Sequence, residues 1–69
     1  MEEIMSRAND NFTQGIVYAA ARCIELCDEP TVATTILHEA DVDREKACDV
    51  GTDSADLNFI DRADAWPKL

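Results

Sequence analysis

The chain has 69 residues, 46% of them hydrophobic, and only four are aromatic (Phe12, Tyr18, Phe59 and Trp66). Fifteen acids against six Lys and Arg give a net charge of −9, which repels nucleic acid and anionic lipid and favours basic protein surfaces. A chain this short is one domain at most, its single core supplies only about 3–5 kcal/mol, and no apolar run reaches the ~20 residues needed to cross a bilayer.

Taken in order, residues 1–10 read as a flexible N-terminal arm. Glu2 and Glu3 stand where a secretory signal would need an apolar region, so a cytosolic location is expected. A helix is expected from Asn11 to Cys27. Asn11 is a good N-cap, Gln14 sits where it would complete a capping box, and Asp10 favours the positive end of the helix dipole. Ile16, Ala20, Cys23, Ile24 and Cys27 recur at spacings of three and four, with Val17 and Ala21 in a second row beside them. Gly15 costs roughly 1 kcal/mol against alanine here, and marks either a close backbone contact or a loose first turn. Pro30 ends this helix near Asp28 and suits the first turn of the next one, which is expected from Pro30 to about Ala40. Its apolar face is Val32, Ala33, Ile36, Leu37 and Ala40. So short a connection makes the two helices antiparallel neighbours.

Asp41-Val42-Asp43 breaks the pattern, and Asp43 is placed to cap a short helix from Arg44 to about Asp49. Ala47, Cys48 and Val50 would pack inward from it, and Gly51 sits where a left-handed C-terminal cap belongs. Thr52 or Asp53 caps a last short helix anchored by Leu57 and Ile60, with Phe59 on a flank. Trp66 either folds back onto the hairpin or stays exposed as a partner contact. No repeats, low-complexity segments or linkers are evident. The expected fold is therefore all-α: an antiparallel helical hairpin plus one or two short C-terminal helices, dimeric, with a helical domain over 11–62 and a tail over 63–69.

Catalytic and metal-binding readings find little support. Three cysteines are an odd number, which argues against a disulfide framework and for buried, reduced thiols. Cys23, Cys27, His38 and Cys48 would make a zinc set by type, but Cys23 and Cys27 are four apart on a helix that needs them for packing. His38 is the only histidine, and no glycine turn presents a nucleophile beside it. A calcium loop starting at Asp41 would have Lys46 and Thr52 where glycine and glutamate are required. A helix-turn-helix drawn from Thr31 to Val50 lacks the bases that phosphate contacts need. No catalytic residue, metal or cofactor is expected.

The charge is concentrated. Between Glu25 and Asp64 lie twelve acids and three bases, whereas the rest of the chain balances. Glu39, Asp41, Asp43, Glu45 and Asp49 are the candidate contacts for a basic partner, with Tyr18 and Trp66 as possible anchors.

The stretch Asn11-Phe12-Thr13-Gln14-Gly15-Ile16-Val17-Tyr18-Ala19-Ala20-Ala21-Arg22, followed by Asp28-Glu29-Pro30-Thr31 and Ile36-Leu37, resembles a pattern in small acidic accessory proteins of temperate phages and prophages. The resemblance covers about Asn9 to Ala40. Such proteins often bind and disable a host protein, as anti-CRISPR proteins and the phage quorum-sensing anti-activator do. It implies a non-enzymatic phage-encoded inhibitor, acting as a homodimer in the host cytoplasm on a bacterial regulator or defence component with a basic surface. The alternatives are an anti-CRISPR or anti-restriction DNA mimic, or a phage structural or assembly protein. No functional residue carries over from the resemblance.

Overall fold

The computed structural model describes residues 2–68, with side chains from Asp10 onward. Four helices follow one another: α1 (Glu2–Cys27), α2 (Pro30–Glu39), α3 (Arg44–Asp49) and α4 (Ser54–Ala63), with no strand among the described residues. The long α1 is the post against which α2 and α4 both pack, while α3 touches it only lightly. The all-helical hairpin expected from the sequence is present, with both short helices added.

The start of α1 differs from expectation. Its backbone is helical from Glu2, so the segment expected as an arm over 1–10 continues the helix, apart from Met1, which lies outside the described residues. Asn11 is an exposed interior residue and caps nothing. Gln14, expected to reach back to Asn11, instead donates from Nε2 to the Val50 carbonyl at the far end of α3. That bond ties α3 to α1.

The other boundaries fall where local chemistry puts them. Pro30 occupies the first turn of α2. Asp43 caps α3 by accepting from the Lys46 N–H at 2.8 Å, and Asp53 caps α4 by accepting from the Ala55 N–H at 2.9 Å. Thr52, the alternative cap for α4, makes no such bond.

Three of the helices stop in the same way. The residue after the last turn takes a left-handed backbone, and the residue beyond it bonds back five positions. The Val42 N–H donates to Leu37 O at 2.9 Å, Thr52 to Ala47 O at 3.2 Å, and Ala65 to Ile60 O at 3.1 Å. Gly51 (φ 79°) is the usual residue for the left-handed place, but Asp41 (φ 61°) and Asp64 (φ 52°) hold it in the other two, and Asp28 (φ 52°) does so after α1. An aspartate there is strained by about 1 kcal/mol relative to glycine and brings negative charge to the negative end of the dipole. Both effects oppose stability. Aligned on these turns, Ile36-Leu37-His38-Glu39-Ala40-Asp41-Val42 and Phe59-Ile60-Asp61-Arg62-Ala63-Asp64-Ala65 share one order: two apolar, two polar, Ala, Asp, apolar.

The buried core is Val17, Ala20, Ala21, Ala33, Leu37, Val42, Ala47, Ile60 and Ala65. Five of these are alanines, so the helices approach closely but remove little apolar area from water. The thiols are not buried as expected: Cys23 is half-buried, and Cys27 and Cys48 are exposed. Cys27 lies on the final turn of α1, at the edge of its contact with α2. The short α3 turns only Ala47 fully inward, which leaves Cys48 outside. Val32 is likewise exposed. Trp66 folds back, half-buried against the core, and Pro67 behind it is buried.

Candidate functional site: an acidic segment and the clasp behind it

The end of α2, the turn and α3 form a continuous strip from Glu39 to Asp49. Glu39, Asp41, Glu45 and Asp49 are exposed along it. Asp43 is not free in the same way, because its carboxylate is held by the Lys46 backbone as the cap of α3. It therefore also shapes the strip, as the cap of α3. The strip contains two bases. Arg44 is exposed but paired with Asp61 of α4, Nε to Oδ1 at 2.9 Å and Nη2 to Oδ2 at 3.2 Å. Among the described residues Lys46 makes no ion pair, so it is the one base that offsets the strip's acids.

Asp61 is the hub of this clasp. The Trp66 indole N–H donates to the same Oδ1 at 2.6 Å, so one carboxylate joins α3, α4 and the C-terminal turn. Trp66 thus stands one residue from Arg44, beside the strip. The hydrogen bonds from Arg44 and Trp66 hold the Asp61 carboxyl below its ordinary range, and Asp61 in turn raises Arg44. Because the folded-state value is depressed, the stabilisation is complete above the unfolded carboxylate value and is lost as pH falls through the folded one. Trp66 emission is expected to stay constant from neutral pH down to about pH 4 and to change below it. Asp61→Asn should abolish that acid transition in a fluorescence titration.

Tyr18, the other candidate anchor, is 55% exposed but lies apart from the strip. It borders an open cleft of about 480 Å³ lined by Gln14, Arg22, Thr52, Asp53 and Asp56 among others. Arg22 fills the wall of this cleft. Its Nη2 donates to Asp56 Oδ1 at 2.8 Å, and its Nε lies 3.0 Å from Glu25 Oε1, off the line of a hydrogen bond. The guanidinium sits over the Tyr18 ring at 4.8 Å and the Phe59 ring at 5.3 Å. With its charge paired and two aromatic rings against it, Arg22 acts as a bolt between α1 and α4. Sequence reading missed this pair, which is 34 residues apart. The signal available was Asp56 itself, an acid four residues before Ile60 and so on the buried face of α4.

The cleft holds no histidine or thiol. The Thr52 hydroxyl is buried without a hydrogen-bond partner. Among the described residues no three His, Cys, Asp or Glu stand together as metal ligands, and no helix is long and apolar enough to cross a membrane. Compared with known proteins, the chain matches no family model, no curated protein and no solved structure.

Proposed function

We propose that this chain is a non-enzymatic binding protein whose Glu39–Asp49 strip docks on a basic surface of another protein. The observation that carries the reading is four exposed carboxylates on one strip whose exposed Arg44 is paired with Asp61 of α4. Attraction between opposite fields speeds encounter, and Trp66 beside the strip supplies apolar area for lifetime. The resemblance to phage accessory proteins supports a host bacterial regulator or defence component as the target, bound and disabled in the host cytoplasm. In this reading the working unit is a homodimer that presents two strips.

The test is capture of a basic protein from bacterial lysate at low and high salt, compared with a charge-reversed chain. Glu39→Lys, Glu45→Lys and Asp49→Lys together are expected to abolish capture while leaving the helical circular dichroism unchanged. Asp43 is left in place because reversing it would remove the cap of α3. Undiminished capture by the reversed chain at physiological salt would overturn the assignment.

A further inference from the structure

The core-facing residues of α1 are Thr13, Val17, Ala20, Ala21 and Ile24. At 100° per residue, Phe12, Gly15, Ala19, Cys23 and Leu26 fall together on the opposite face. Phe12 is 65% exposed and Leu26 74%, the two most exposed large apolar side chains among those described. No charged residue interrupts this stripe, although the chain carries −9. Helix α1 therefore has a second apolar face, of which only Cys23, at its edge, packs against the chain's own core.

Gly15 supplies an independent indication. It lies inside a helix, where it costs stability, and a Cβ built on it would meet nothing within 4 Å. Nothing in its own chain needs the missing side chain. A backbone approaching closely from outside does.

We infer that this face is the seam of the homodimer in the proposed function, with two α1 helices crossing antiparallel at Ala19. The inference rests on that homodimer and assigns its interface. The stripe is symmetric about Ala19: Phe12 and Leu26 lie seven residues to either side. A two-fold axis there sets Phe12 of each copy against Leu26 of the other, Cys23 against Gly15, and Ala19 against Ala19. Large residues close the ends, and small ones let the helices meet at the centre. The antiparallel arrangement also opposes the two helix dipoles. The seam is uncharged, which makes it the surface on which two copies of an acidic chain can touch. Since the remainder of each copy repels the other, added salt strengthens the dimer.

Sedimentation equilibrium of the full chain at 0.15 M and 1 M salt tests this. A dimer that tightens with salt, and whose Kd rises at least tenfold in Phe12→Glu with helix content unchanged, is the expected result. Gly15→Ala should weaken the dimer, yet raise Tm when placed in the monomeric Phe12→Glu chain. Ala19→Cys should cross-link two copies on oxidation. The native Cys23 should not, because an antiparallel crossing holds the two copies of Cys23 roughly 12 Å apart along the axis. A dimer that survives Phe12→Glu overturns the seam and leaves the homodimer standing. A chain that stays monomeric at millimolar concentration and high salt overturns both. Cross-linking through Cys23 overturns the antiparallel crossing.

Discussion

Arg22→Ala is expected to cost about 2–3 kcal/mol, a large share of what a core this small supplies. The carboxylate of Asp56 is 11% exposed and its bond to Arg22 spans α1 and α4. Removing the guanidinium leaves that charge with little water and no base beside it. Breaking a buried pair in this way costs about 3–5 kcal/mol in general, and the figure is reduced here because Arg22 itself is a quarter exposed. The same change strips the cation from the faces of Tyr18 and Phe59, which opens the cleft. Urea unfolding followed by circular dichroism should show the midpoint falling sharply. The double variant Arg22→Ala with Asp56→Ala should recover part of the loss, because no orphaned charge remains. A loss below about 0.5 kcal/mol in the single variant would mean that water screens the pair as it does a surface salt bridge.

Leu37→Ala should be the most damaging truncation in the core, at about 3 kcal/mol. Leu37 is one of the four largest side chains that are completely buried. Its carbonyl also accepts the Val42 N–H that closes α2, and the Val42 side chain is buried in the same cluster. The truncation therefore empties the core and loosens the turn that leads into the acidic strip. With five alanines already in the core, few neighbouring side chains are large enough to collapse into the space. Thermal unfolding should show a transition near or below room temperature, whereas Val32→Ala on the exposed side of α2 should leave it within about 0.5 kcal/mol of the parent.

The sequence was most readable where a local device decides the structure. Pro30, the Asp43 cap and Gly51 each act within a few residues, and the bounds of α2 and α3 followed from them. The start of α1 was misread because Asn11 and Gln14 form a pattern that serves either a helix start or a helix interior. Only the position of Val50, 36 residues beyond Gln14, decides between them. The clasp and the bolt were illegible for the same reason: Arg44 with Asp61, and Arg22 with Asp56, are pairs that local spacing cannot propose. Charged residues are taken as exposed by default, and among the described side chains Asp56 is the acid that is buried. The candidate acids Glu39, Asp41, Glu45 and Asp49 were readable as a charge run. That Asp43 differs from them was already implied by its role as a cap.

The self-terminating helices also bear on how quickly this chain reaches its native state. Each of α2, α3 and α4 carries its own stop signal, completed by hydrogen bonds that close loops of only a few residues. Such closures form early and need no search through distant pairings. Helical chains dominated by short-range contacts fold in microseconds to milliseconds. What remains slow is the meeting of α1 with the C-terminal half, where Gln14 finds Val50 and Arg22 finds Asp56. Docking of the C-terminal half onto α1 is therefore the step expected to limit folding, and helices of ten residues or fewer gain their full stability only there.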